Sequence, residues 1–188
     1  MLGFMTMRSV NGRFQGGVTL IELVVTISIL AVLVSLAIPS FIEFLKNNRV
    51  NSQTNELVAL INLAKNEAIR RHLSIGEGLE VALQIRSTLD GWEAEVITSD
   101  PIDPTPGCEA GVIRCVENQR VEFSTGEDED DISISFDSRG YLRGTTWEPI
   151  GICLRHTACN GANQHRRLEI LPSGRIEIER LGCEATCG

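Results

Sequence analysis

The chain has 188 residues with 17 basic and 25 acidic side chains, a formal net charge of −8. That sign argues against a generic polyanion binder, and the length left beyond a long N-terminal helix suits one small domain and hardly two.

Met1 to Gly17 carries Arg8 and Arg13 and no acid. Positive charge ahead of an apolar run keeps the N-terminus cytoplasmic. From Val18 to Ile38 the chain is apolar except for Thr19, Thr26, Ser28, Ser35 and Glu22. As a helix this stretch rises about 32 Å, the thickness of a bilayer's hydrocarbon core. The hydroxyls can bond back to the helix's own carbonyls at little cost. Glu22 cannot, because a carboxylate at the centre of a spanning helix costs about 2.5–3.5 kcal/mol, less near the interface, and marks a partner or a function. An ordinary secretory signal places its small residues after the apolar run; here Gly16-Gly17 come before it, and Ser35 to Pro39 is only a weak competing site. A cut after Gly17 would expose the amine of Val18, make Glu22 the fifth residue of the mature chain, and let a neighbouring subunit's amine neutralise that acid.

Gly17-Val18-Thr19-Leu20-Ile21-Glu22-Leu23 resembles the class III leader of type IV pilins and type II secretion pseudopilins. The resemblance implies that a prepilin peptidase cuts between Gly17 and Val18 and methylates the Val18 amine. The family usually carries Phe first after the cut, and Val18 departs from that. Pro39 falls where pilins also carry a helix-loosening proline.

Beyond Pro39 a helical period resumes. Val50, Thr54, Leu57, Ile61, Ala64 and Ala68 recur at spacings of four and three, one apolar face destined for a sheet. The helix is expected to end around Arg70-Arg71-His72, with cations completing its last turn. After Gly76 and Gly78 the period becomes two, predicting strands around Val81 to Ile85, Trp92 to Val96, Val121 to Phe123 and Ile132 to Phe136. Further strands are expected at Tyr141 to Thr145, Gly151 to Arg155, Arg167 to Leu171 and Arg175 to Glu179. Turns are expected at Asp90-Gly91, Asp137 to Gly140 and Pro172 to Gly174, and the proline-rich stretch from Asp100 to Cys108 reads as a loop.

Asn47-Asn48-Arg49, Asn55-Glu56-Leu57, Ala64 to Arg71, Phe136 to Gly140 and Pro172 to Ile176 are similar to the GspH/FimT group within the pilin superfamily. The resemblance implies an α+β pilin fold, in which a long N-terminal helix, transmembrane in its first half and soluble in its second, packs on antiparallel sheets, two small ones. The organisation then expected is a leader over residues 1–17, a transmembrane and assembly helix over 18–39, and a periplasmic globular domain over 40–188. Expected partners are other major and minor pilins or pseudopilins, the prepilin peptidase and the inner membrane.

All six cysteines, Cys108, Cys115, Cys153, Cys159, Cys183 and Cys187, fall in the C-terminal half, on the far side of the membrane, where disulfides form. Fifteen pairings are open; short loops favour Cys108 with Cys115, Cys153 with Cys159, and Cys183 with Cys187. No C-x-x-C pair occurs and His156 and His165 sit in a basic stretch, so neither a metal nor another cofactor is expected. No nucleophile–base setting, Walker motif or dinucleotide glycine pattern appears, which argues against an enzyme. The acidic run from Glu127 to Asp131 lacks the spacing of a dedicated calcium loop and reads as a solvated turn. DNA is the rival partner, because FimT-type minor pilins include DNA receptors with a C-terminal G-R-x-R stretch. Here the corresponding residues are Gly174-Arg175-Ile176-Glu177, with an acid in place of the second arginine; Arg167, Arg175 and Arg180 are the candidate phosphate contacts. Charges shielding edge strands are the plainer account.

Overall fold

The computed structural model describes residues 17–71, 81–99, 102, 105–125, 131–144 and 148–187. Arg8, Arg13, Gly16, His72, Glu127 to Asp130 and, in the proline-rich loop, Asp100, Pro101, Asp103 and Pro104 lie outside the described residues. Contacts divide the chain into one unit ending at Phe41 and a second running from Ile42 to Gly188.

Among the described residues one helix, α1 (Leu20–Arg70), is followed by eight strands: β1 (Val81–Thr88), β2 (Gly91–Thr98), β3 (Val112–Gln119), β4 (Val121–Thr125), β5 (Asp131–Ser135), β6 (Ile150–His156), β7 (His165–Ile170) and β8 (Ile176–Leu181). They form two four-stranded sheets in the orders β3-β2-β1-β5 and β4-β6-β7-β8, with every pairing antiparallel. This is the expected α+β arrangement of a long helix on antiparallel sheets.

The predicted helix face is the one that is buried: Val50, Thr54, Leu57, Ile61, Ala64 and Ala68 all lie in the core. They meet Leu83, Ile85, Trp92 and Ile134 of the first sheet and Phe123, Leu154 and Leu168 of the second. Thr54 satisfies its buried hydroxyl by donating to the Val50 carbonyl at 2.7 Å. Gln53, which periodicity did not single out, is a buried polar clasp. Its Oε1 accepts from Trp92 Nε1 at 2.9 Å and its Nε2 donates to the Gln119 carbonyl at 3.0 Å, so the indole N–H at the centre of the core is paired.

Arg120 alone separates β3 from β4, yet these strands belong to different sheets. Its φ of 64° is the left-handed turn by which the chain leaves one sheet for the other. Two expectations about strands are corrected. β3 is a strand where the sequence predicts none, and Tyr141 to Thr145 forms no strand over its described residues, only a single bridge between Leu142 and Phe136.

The disulfides also require correction. Cys108–Cys115 is as expected, but the other two bridges are Cys153–Cys187 and Cys159–Cys183, not the local pairs. Register explains the exchange. Leu181, the end of β8, lies opposite His165, and His165 lies opposite Arg155, so the chain leaving β8 emerges beside the loop that holds Cys159. Cys183 reaches that loop, and the tail then continues to Cys153 in β6, with Cα separations of 5.7 and 5.8 Å that suit a bridge.

Candidate functional site

The first half of α1 is apolar and unburied. Val18, Leu20, Ile21, Leu30 and Leu36 are each more than half exposed, and no residue before Val50 in this helix is buried. It is long and apolar enough to cross a membrane. Its hydroxyls behave as the sequence implies: Thr26 donates to the Leu23 carbonyl at 2.8 Å, Ser28 to Val24 at 2.7 Å and Ser35 to Val32 at 2.7 Å.

Thr19 does something different. It precedes the first helical residue, and its Oγ1 accepts from the backbone N–H of Glu22 at 3.3 Å while its carbonyl accepts from Leu23 N–H at 3.1 Å. Thr19-x-x-Glu22 is therefore a capping arrangement that starts α1. Glu22 stands in the first turn, where free N–H groups and the helix dipole favour a negative charge. The lone acid of the apolar segment is thus at the end of the helix that tolerates it best. It is exposed, and no described cation pairs with it.

Gly17, just outside the cap, has open space where a Cβ would stand and no positive φ. Among the described residues, nothing packs closely enough against this position to require glycine. Pro39 lies inside α1, which continues through it unbroken. Its missing N–H removes the intrahelical partner of the Ser35 carbonyl, a local weakening without melting.

The three arginines considered for DNA do not share a face. Strand alternation places Arg167 and Arg175 on the outer side of the second sheet and Arg180 on the helix-facing side, opposite Arg166. On the outer side the charges are interleaved: Arg167 stands opposite Glu179 and Glu169 opposite Glu177, Arg175 lies 3.4 Å from Glu177, and Arg155 pairs with Glu122 at 2.8 Å. Gly174, which heads the G-R stretch, has a packing role instead. Its φ is +70°, a Cβ there would collide with the Gly140 carbonyl, and its own carbonyl accepts from Lys65 Nζ at 3.0 Å. The two turns that carry the family-like motifs are thus clasped by one lysine of α1.

His156 and His165 have structural partners as well. His156 Nδ1 accepts from Ala158 N–H at 3.0 Å, and a ring nitrogen of His165 lies 3.1 Å from the Gly182 carbonyl. Burial first, then the charges of Lys46, Arg49 and Arg120, holds the His156 imidazole below the ordinary histidine range, against the opposing pull of Glu122.

A family model described as type II transport protein GspH matches residues 53–174, and one described as a prokaryotic N-terminal methylation motif matches residues 12–38. A crystal structure of the Pseudomonas aeruginosa type IV minor pilin FimU is similar at 19% identity and a TM-score of 0.46, covering 69% of this chain and 91% of that one. A second crystal form of FimU gives 19% identity and a TM-score of 0.49, covering 72% and 92%. No curated protein matches the chain.

Proposed function

From the chain's membership of the GspH family of type IV pilin and pseudopilin proteins, which are structural and non-enzymatic, we propose that it is a minor pilin that helps initiate and assemble a type IV pilus. The observation that carries this reading is the capped start of α1. An acid in the first turn, a glycine with no local packing reason just before it, and an exposed apolar surface behind it make a helix end suited to processing and lateral assembly.

Processing would occur between Gly17 and Val18, with methylation of the Val18 amine. Before assembly the segment over 18–39 would span the inner membrane, leaving 40–188 in the periplasm. On extraction into a filament its apolar surface would be covered by neighbouring helices, and Glu22 would attract the Val18 amine of an adjacent subunit. Both charges would then lose their isolation in an apolar medium. Pro39 would give the helix a weak point at the junction.

Substituting Glu22→Leu and counting surface filaments tests the pairing, and unchanged assembly would exclude it. Mass spectrometry of the mature protein tests the processing: a chain that retains Gly17 where a prepilin peptidase is active contradicts the whole reading. The description of the matching family favours one alternative system, a type II secretion minor pseudopilin. Deleting the gene separates the two, since a pilus subunit affects surface fibres while a pseudopilin affects export of folded proteins.

A further inference from the structure

The second sheet holds one cation that assembly through α1 leaves without a role. Arg166, on the helix-facing side of β7, is 3% exposed. Its Nη1 donates to the carbonyls of Asn163 at 2.8 Å and His165 at 3.0 Å, and its Nη2 donates to Asn51 Oδ1 of α1 at 2.7 Å. All three acceptors are neutral. A buried cation ordinarily has a carboxylate beside it, since neutral acceptors restore only part of the lost hydration.

What stands beside Arg166 is another cation. Arg180 of β8 is its direct cross-strand partner, an opposition of like charges that is unfavourable on one face of a sheet. Burial first and Arg180 second hold the Arg166 guanidinium below the ordinary arginine range. Neither arginine has an ion pair among the described residues. Glu43 of α1 is directed instead toward Gly161, its Cδ 3.7 Å from where a Cβ would be. The two guanidinium groups border a recess of about 240 Å³, walled by Phe44, Asn47, Asn48 and Asn51 of α1 and by Asn163.

We propose that this recess is a carboxylate-binding site, in which Arg166 and Arg180 share one carboxylate and the asparagine amides at its wall complete the donor set. A planar carboxylate matches the fork of a guanidinium, and one such group would turn the repulsion between the two arginines into two attractions. The small recess suits a single side chain or a small free acid. A duplex backbone would need a row of cations, and Glu177 and Glu179 on the same strand oppose it. The carboxylate has two sources, a free small acid or an Asp or Glu side chain of an adjoining subunit; the second rests on the assembly reading above.

The test uses the full chain purified in detergent micelles, with acetate replacing chloride at constant ionic strength. Acetate should raise the melting temperature of the native protein by about 2–4 °C, the size expected for a weak ligand present well above its dissociation constant. The rise should vanish in Arg180→Gln. Arg180→Glu supplies the carboxylate from within, so it should melt higher than the native protein in chloride and ignore acetate. An acetate effect no larger than that of chloride, or one that survives in Arg180→Gln, overturns the proposal. Filament counts in cells carrying Arg180→Glu then identify the source: loss of filaments points to a neighbour's side chain, and unchanged filaments to a free acid. The acetate measurement stands whether or not the chain assembles, so its failure and that of the assembly reading are separable.

Discussion

The two halves of α1 follow different rules along one helix. From Val50 to Ala68 the apolar residues keep to one side and every residue of the predicted face is buried. Ahead of Val50 they occupy all sides and none is buried. A one-sided stripe is what a helix needs to pack on a sheet, whereas apolar character all round calls for an apolar medium on every side, lipid or other helices. The difference predicts that substitutions in the two halves fail in different assays. Glu22→Leu should give the largest effect, loss of most surface filaments, with no change in the melting temperature of the second unit. A fall in that melting temperature would break the division.

Trp92→Ala is the converse experiment. The indole is fully buried, and its removal should cost about 3–5 kcal/mol of folding stability, read by denaturant unfolding, while membrane insertion is retained. Next come the bridges Cys153–Cys187 and Cys159–Cys183, which close spans of 34 and 24 residues. Each should contribute about 3–4 kcal/mol by loop-closure entropy, so replacing either pair with serine should lower stability by about that much. The local pairing set aside by the structure makes a different forecast: Cys187→Ser would leave Cys183 as the free thiol, whereas the observed pairing leaves Cys153, and thiol labelling with peptide mapping distinguishes them. Gln53→Leu should cost less, about 1–3 kcal/mol, because it leaves the Trp92 indole N–H without its acceptor at 2.9 Å.

These sites differ in how far the sequence discloses them. The Val50 to Ala68 face was legible because helical period and burial coincide there. β3 was not, because Val112, Ile113, Cys115 and Val116 do not alternate and the strand has only one buried residue, so period two has little to act on. Tyr141 to Thr145 failed in the opposite sense: Tyr141 is 46% exposed, and apolar character did not mean pairing. The cysteine pairs depended on where β8 ends relative to β6, a relation between strands that no local spacing carries. Thr19 resembles the other hydroxyls that bond backward along the helix, although the Thr-x-x-Glu spacing carries the signature of the cap. Arg166 is set apart from its neighbour Arg167 by nothing in the local sequence. Its burial follows from strand alternation, which puts it on the same side as Leu168 and Ile170.

The smallest effect expected is a pH dependence confined to the second unit. His156 is 6% exposed, and its Nδ1 accepts from Ala158 N–H, so the neutral ring carries its proton on Nε2 and protonation would cost that acceptor. Burial, followed by Lys46, Arg49 and Arg120, depresses its pKa below 6.5 in the folded chain. The unfolded chain therefore takes up the proton first as the pH falls. The stabilising contribution is complete above the unfolded value and is lost progressively as the pH drops toward the folded one. Glu67, whose pKa is lowered foremost by the hydrogen bond from Arg70, acts only in the carboxylate range below 4.5. Between about pH 7 and pH 5, then, stability should decline in the native protein and decline less in His156→Gln. Equal slopes in denaturant titrations of the two proteins would show that the imidazole is not the group responsible.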